Sequence, residues 1–388
     1  MKPSQADGPI LIAGGGIGGL TAAVALRQAG FEVQVFERAA EIREIGAGIA
    51  ISPNAISALR RIGLDRAVIE AGAVAEALDL RTARGDLLAR LRPRDLRPAI
   101  DAPFVCIHRA TLQAVLLAAF GHEAVHTGCE CIGFETWRGG ATLWMRDGRS
   151  ADGAVLVGAD GLHSRVRAHL LGDREPLYAG YTAWRAVTPE GFTPRPAATS
   201  ETWGCGHRFG IVPLDRGRVY WYATSNTAAG GRDEPGELRE SLLRTFGGWH
   251  APIADLIAAT PEAAILRTDI LHRRPVRRWG RGRVTLLGDA AHPMTPNLGQ
   301  GACLAIEDAV VLAGCLRDAA GLSAALRRYE SLRRTRAAHV ALRAAHLGWI
   351  GQWQTRSACR FRDLVVRWTP GAFHRFQMRQ LFRFRAGV

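Results

Sequence analysis

A chain of 388 residues, 47% hydrophobic and 22% charged, has the composition of an ordinary globular protein and is long enough for two or three lobes. Its net charge of +14 rests almost wholly on arginine, Lys2 being the only lysine; the arginines spread along the chain with a modest excess after residue 327 and no zinc-finger, RRM or basic-zipper pattern, which argues against nucleic acid as a partner. The mean hydropathy is close to zero, no apolar run reaches the roughly 20 residues of a bilayer span, and the N-terminus lacks a signal-peptide pattern, so a cytoplasmic protein is expected.

Pro9 to Ala13 is a short apolar run that ends at glycines, as a central parallel strand does. A helical pattern follows from Ile17 to Ala29, with Leu20, Val24 and Leu26 on its inner face, and Gly30 ends it. Val33 to Phe36 reads as a second strand, completing the β-α-β unit of a doubly wound sheet. Ser52 to Ile62 predicts a helix with Ser52 as N-cap and Pro53 at its first position. Residues 75–91 predict a hairpin, Arg109 to Phe120 a helix, 123–146 further strands, and Val155 to Gly158 a buried strand entering a tight turn. Residues 178–226 are aromatic and β-rich and predict a largely antiparallel sheet, an inserted substrate lobe. Val284 to Leu287 returns to a core strand, and 299–345 is strongly helical. The expected division is 1–177 and 273–345 for the nucleotide-binding domain, 178–272 for the lobe, and 346–388 for a basic tail rich in Trp and Phe. Seven cysteines without a C-x-x-C pair point to neither a disulfide framework nor a metal site.

Gly14, Gly16 and Gly19 form G-x-G-x-x-G between the first strand and its helix. Gly14 permits the turn, Gly16 lets a pyrophosphate approach the backbone, and Gly19 lets the helix pack closely on the sheet. The helix N-terminus adds free N–H groups and a positive dipole end. Glu37 ends the second strand, where a carboxylate can bind the hydroxyls of an adenosine ribose. This fingerprint alone does not separate NAD from FAD.

Two later segments do. Val157-Gly158-Ala159-Asp160-Gly161-Leu162-His163-Ser164-Arg165 and Leu287-Gly288-Asp289-Ala290-Ala291-His292-Pro293 each put an Asp just beyond a buried strand; the second runs on through Asn297-Leu298-Gly299-Gln300-Gly301. With these three ordered motifs, the chain from about residue 9 to about residue 345 resembles the group A flavoprotein monooxygenases, the para-hydroxybenzoate hydroxylase-like family. Within that family it is most similar to the salicylate, 3-hydroxybenzoate, 6-hydroxynicotinate and urate hydroxylases and to zeaxanthin-epoxidase-like proteins.

The resemblance implies an α/β fold: a Rossmann-like FAD-binding domain (GR2 type), an inserted antiparallel substrate lobe and C-terminal helices. It implies that Gly14, Gly16 and Gly19 hold the FAD pyrophosphate, Glu37 the adenosine ribose, and Arg38 the adenine or ribose. Gly48, in Gly46-Ala47-Gly48, belongs to a loop near the flavin ring. Arg109 reaches the phosphates and ribityl chain. Asp160 handles FAD and NAD(P)H or merely braces its turn, and Asp289 contacts the ribityl or pyrophosphate region. Gly299, Gln300 and Gly301 open a helix whose N–H groups can face the flavin N1–C2=O region, where reduced flavin is anionic. Pro293 and Pro296 stiffen that loop, and Pro293 lines the pocket.

The chemistry so implied is hydride transfer from NAD(P)H to FAD, then reaction with O₂ to a C4a-hydroperoxide whose distal oxygen goes to an electron-rich carbon. No second G-x-G-x-x-G occurs, so NAD(P)H is a transient co-substrate. Arg185, in Tyr181-Thr182-Ala183-Trp184-Arg185, resembles a Y-x-x-W-R stretch of the family; it pairs with an acidic substrate group or braces the sheet. Tyr220 and Tyr222 alternate on a strand and line the pocket or pack the core. His292 acts as acid or base or serves loop geometry. The expected partner is a small aromatic molecule and the expected state a monomer or homodimer. The tail makes a weak membrane-surface contact or packs on the body. Epoxidation of a natural product and a non-oxygenating flavoprotein reductase are the rival activities. A flavin halogenase would need an active-site lysine, and Lys2 lies in the N-terminal tail.

Overall fold

The computed structural model describes residues 8–41, 47–193, 198–234 and 236–384; Gly46 lies outside them. The nucleotide fold rests on a six-stranded sheet in the order Gly280–Arg281, Val284–Leu286, Val155–Gly158, Ile10–Ala13, Val33–Phe36 and Val125–His126. Its neighbours are parallel except the first pair. Ile10, Leu11, Ile12 and Ala13 are all buried because helices cover both faces, and this is why the segment reads as an unbroken apolar run. Helix Ile17–Gln28 packs between Arg109–Phe120 and Gly301–Asp318.

The second sheet has seven strands in the order Leu266–His272, Leu177–Val187, Val219–Ser225, His207–Pro213, Thr199–Trp203, Leu78–Thr82 and Leu87–Leu91. All pairs are antiparallel except Thr199–Trp203 with Leu78–Thr82. The hairpin expected at 75–91 thus forms, but it extends the substrate-lobe sheet instead of the nucleotide fold. A lone hairpin is marginal in water, and this one gains a neighbour only through a parallel pairing that no local pattern announces.

Alternation gives the sheet two faces. Trp184, Ala186, Phe209, Ile211, Trp221 and Ala223 form a separate core with helices Leu238–Phe246 and Ile253–Ala259. Those two helices are not among the sequence expectations. Tyr220 and Tyr222, between these positions, turn to the other side and pack on the main core of the nucleotide fold. The tail after helix Leu322–Gly351 is two further helices, Arg356–Trp368 and Gly371–Phe382. Among the described residues no helix is long and apolar enough to cross a membrane.

One buried charge network joins these parts. Helix Gly301–Asp318 carries Glu307 and Asp308 side by side, both fully buried. Asp308 accepts from Arg333 Nε at 2.6 Å, from His292 Nε2 at 2.6 Å and from the Gly288 amide at 3.3 Å. Glu307 accepts from Asn54 Nδ2 at 2.7 Å and from Arg336 Nε and Nη2 at 2.7 and 2.6 Å, and it pairs with Arg333 Nη2 at 2.6 Å. Burial works to raise the Asp308 carboxyl, but His292 and Arg333 outweigh it and hold the pKa at about 2.

A folded-state pKa below the unfolded value contributes stability above the unfolded pKa and loses it as pH falls through the folded one. Asp308→Asn is therefore expected to cost about 3–5 kcal/mol at neutral pH, because Arg333 keeps a buried charge with less to balance it. The gap between variant and wild type should close between pH about 4 and about 2. Denaturant unfolding at stepped pH checks both the size and the sign.

Candidate active site

The glycine turn is shaped by what a side chain would strike. Gly14 has φ 107°, and a Cβ there would collide with the Ala159 carbonyl of the neighbouring strand's loop. A Cβ at Gly19 would collide with the Gly14 carbonyl. At Gly16 a Cβ would meet no protein atom within 4 Å; it would stand in open cavity. Helix Ile17–Gln28 begins there with no side-chain cap, so its first N–H groups are left for a ligand. Glu37 Oε2 accepts from the Gly15 amide at 2.7 Å and Oε1 from Ala39 at 2.9 Å, fixing the acid beside the turn. Gln113 Nε2 donates to the Gly15 carbonyl at 2.8 Å, a clamp that sequence reasoning missed although Gln113 closes the Arg109 motif.

A cavity of about 570 Å³ opens over this turn. Gly14, Gly16, Glu37, Arg38, Arg109, Asp160, Asp289 and Gly301 all line it, so the structure gathers residues from five separate stretches of chain. Asp289 presents its surface to the cavity yet is enclosed by protein; burial raises its pKa, while His292 and Arg109 pull it down. Asp160 is also raised by burial, and both its oxygens are engaged: Oδ1 accepts from Ser164 Oγ at 2.5 Å, and Oδ2 from the Arg165 and Val166 amides at 2.7 and 3.2 Å. It therefore secures the start of helix Arg165–Leu171. That helix carries Arg167, whose Nη1 donates to the Ala290 and Ala291 carbonyls at 2.9 Å each. Burial lowers the Arg167 pKa to about 10. Asp160 is thus linked to the Asp289 loop through an arginine two residues beyond the motif as read.

The second half of the loop divides into wall and support. Gly299 takes φ 61° and turns the chain into helix Gly301–Asp318. Gln300 is buried behind the wall, its Nε2 donating to Ser52 Oγ at 3.1 Å and its Oε1 accepting from Asn54 at 3.0 Å. Gln300 itself does not line the cavity; Gly301 and Ala302, the first helical residues, do. Ser52 is the N-cap of helix Pro53–Arg60 as expected, but its side chain makes no capping bond; its hydroxyl accepts from Gln300 instead. His292 is buried outside the cavity lining, with Nε2 on Asp308 and its ring 5.3 Å from Trp279. Of its two expected parts, these contacts favour the one in loop geometry. Pro293 is also buried behind the lining, its carbonyl accepting from the Arg273 amide at 3.1 Å.

Arg185, Tyr220 and Tyr222 lie on the inner sheet face, outside the cavity lining. Tyr220 presses on Gly48, where any Cβ would collide with its ring, and the residue after Gly48, Ile49, is in the cavity wall. Arg185 is half-buried and donates to Thr268 Oγ1 at 3.0 Å, which favours a bracing part. Sequence reasoning missed the charged centre of this face. Glu201 accepts from the Tyr222 hydroxyl, from Trp203 Nε1 at 2.6 Å and from Arg208 Nη1 at 3.3 Å. The buried Arg208 guanidinium also lies 5.1 Å from the Tyr181 ring, and Tyr181 donates to Asn297 in the flavin-side loop at 3.1 Å. Charged residues at inward positions of alternating strands were the available sign. Burial and Glu201 raise the Tyr222 pKa well above its ordinary value, so its hydroxyl stays protonated.

A parallel sheet with an uncapped helix over a glycine turn, and a second uncapped helix across the same cavity, define a dinucleotide site with two anion-seeking ends. A profile of the family described as an FAD binding domain matches residues 7–344, and the chain belongs to that family as an FAD-dependent monooxygenase of group A. It is 47% identical to aurachin C monooxygenase/isomerase of Stigmatella aurantiaca over 92% of this chain and 93% of that protein. It is 40% identical to the chloroplastic zeaxanthin epoxidase of Solanum lycopersicum over 87% of this chain, which spans 53% of that longer protein. Among solved structures it is similar to Klebsiella pneumoniae HpxO complexed with FAD and uric acid, with 32% identity, a TM-score of 0.90 and 96% of each chain covered.

The residues present fit FAD. The open space at Gly16 suits a pyrophosphate, Glu37 suits a ribose diol, and the Gly301–Ala302 amides suit an anionic ring edge. Gly16→Val is expected to fold with near wild-type stability yet purify without flavin. Gly19→Ala, by contrast, should lower stability by about 1–3 kcal/mol. Flavin absorbance with thermal denaturation separates the two outcomes. Asp289→Ala is expected to weaken FAD retention by about tenfold or more through loss of a charge-assisted contact. Full flavin occupancy in that variant would show that Asp289 does not hold the cofactor.

Proposed function

We propose that this monooxygenase inserts one oxygen atom into a small aromatic or heteroaromatic compound held against the inner face of the seven-stranded sheet. The observation that carries this reading is the contact of Tyr220 with Gly48, which joins the aromatic sheet face to the wall of the FAD cavity. Bound FAD, reduced by NAD(P)H, supplies the oxygen activation. The chain's own residues seat, orient and exclude water. Gly14, Gly16 and Gly19 shape the pyrophosphate seat, Glu37 and Arg38 take the adenosine end, and Arg109 and Asp289 take the ribityl and phosphate region. Asp160, in the wall, and Gln300, His292 and Pro293, behind it, position these groups.

The inner face supports a neutral or weakly acidic ring as substrate. Arg208 is balanced by Glu201, and the Tyr222 hydroxyl is protonated, so the face offers aromatic surface and hydrogen bonds more than net charge. Arg185, at the end of the row Arg185, Tyr222, Gly210 and Glu201, is the group available to an acidic substituent. Consumption of NAD(P)H supports a cytoplasmic site of action. A second reading, epoxidation with or without rearrangement, is favoured by the likeness to a protein named a monooxygenase/isomerase and to an epoxidase.

The test is NAD(P)H oxidation by the yellow holoenzyme against hydroxylated aromatic acids, purines and other bicyclic heteroaromatics. One compound should accelerate oxidation and emerge heavier by one oxygen, with the position of that oxygen separating hydroxylation from epoxidation. Tyr222→Phe should raise KM by about tenfold at unchanged FAD content, the loss of one buried hydrogen bond. Oxidation that no compound accelerates, with only peroxide formed, would sink the reading in favour of a non-oxygenating reductase.

A further inference from the structure

Helix Arg356–Trp368 is built inside out. Its buried positions are Cys359 and Arg362. Arg362 Nη1 donates to the Gly351 carbonyl at 3.2 Å and Nη2 to the Gly204 carbonyl at 3.1 Å, and the guanidinium lies 4.9 Å from the Trp203 ring. A charged, fully bonded group thus occupies the inner face. Phe361, Leu364, Val365 and Trp368 occupy the outer one at i, i+3, i+4 and i+7, a single stripe along the helix. Phe361 is 63% exposed and Trp368 77%. Phe373 and Phe376 are likewise exposed on Gly371–Phe382, and Leu342 and Trp349 on Leu322–Gly351. Single exposed apolar residues are common, but an aligned four-residue stripe, with further exposed apolar residues on the helices before and after it, marks a surface that is covered in use.

Charge decides what covers it. Residues 346–384 contain seven arginines and one acid, Asp363. Asp363 is already paired with Arg362 at 2.9 Å. Arg356, Arg360 and Arg367 are exposed on the helix that bears the stripe. A second copy meeting this surface would set arginine against arginine with almost no acid to answer. An anionic lipid surface provides an apolar layer for the aromatic stripe and negative headgroups for the flanking guanidiniums.

We infer that the end of helix Leu322–Gly351 and the helices Arg356–Trp368 and Gly371–Phe382 form a peripheral docking surface for an anionic lipid bilayer. The helices lie on the membrane and do not cross it. The surface is joined to the site: the helix that presents Trp349 outward gives the Ala344 carbonyl, between one and two turns earlier, to Asn297 Nδ2 at 2.9 Å, and Asn297 accepts from Tyr181 on the inner sheet face. This inference stands independently of the substrate reading.

The experiment uses the full FAD-loaded chain in vesicle co-sedimentation. Vesicles of phosphatidylcholine containing about one third phosphatidylglycerol should pellet the protein, and pure phosphatidylcholine should not. Raising salt from about 0.1 M to about 0.5 M should weaken partitioning about tenfold. The double variant Phe361→Ser, Trp368→Ser should lose at least about tenfold in binding while keeping its flavin and its NAD(P)H oxidation in solution. Arg360→Glu with Arg367→Glu tests the charge half separately and should give the same loss. Wild-type protein that stays in the supernatant with anionic vesicles overturns the inference, as does undiminished binding by both double variants. A solution dimer that Phe361→Ser, Trp368→Ser dissociates would also overturn it, assigning the surface to a second copy.

Discussion

Two adjacent carboxylates, Glu307 and Asp308, sit in the middle of the molecule without contact with water, and the architecture of the site follows from what it takes to keep them there. Burying a charge costs several kcal/mol unless partners surround it. Here the partners come from the long helix (Arg333, Arg336), from the loop after the last parallel strand (His292 and the Gly288 amide) and from the helix at Asn54. Each is drawn to one point, so helix Gly301–Asp318 cannot shift along its axis without breaking several charge-assisted bonds. Its N-terminus, uncapped by any side chain, is thereby held at a fixed place in the cavity wall. The network is expensive, and its return is geometric.

A second chain of contacts runs from the other wall. Asp160 secures a short helix, the helix carries Arg167, and Arg167 grips the two carbonyls that follow Asp289. The two aspartate motifs are therefore one mechanical unit, although more than a hundred residues separate them. Asp289, like Asp160, lines the cavity, and it is enclosed enough for burial to raise its pKa. Residues that look equivalent in sequence, an Asp at the end of a buried strand in each case, both reach the cavity wall, but Asp160 has both oxygens engaged by its own turn and helix.

The seven-stranded sheet works by the same separation of faces. One face is an ordinary core of Trp184, Phe209, Trp221 and two covering helices. The other carries Tyr220, Tyr222, Glu201 and Arg208 toward the nucleotide fold, where Asn297 ties it to the flavin-side loop through Tyr181. The inner sheet face and the Asn297 loop are thus linked by a side-chain hydrogen bond. The tail inverts the usual order, with arginine inside and aromatic residues outside, and this gives the protein a surface suited to something other than water.

The amino-acid sequence by itself determined the β-α-β unit, the glycine turn with Glu37, the buried strands Val155–Gly158 and Val284–Leu286, and the presence of Arg109, Asp160 and Asp289 at the nucleotide site. Most are legible through local physics: apolar runs for strands covered on both sides, glycine where a Cβ would collide, an Asp just past a strand end; Arg109 was legible through the family resemblance of its motif. Only the tertiary structure decided the rest. Whether His292, Gln300 and Pro293 face the cavity or stand behind it depends on side chains far away in the chain, such as Asp308 and Ser52. The parallel pairing of Thr199–Trp203 with Leu78–Thr82, the Glu201–Arg208 pair and the inside-out helix follow from long-range packing, which no window of sequence contains.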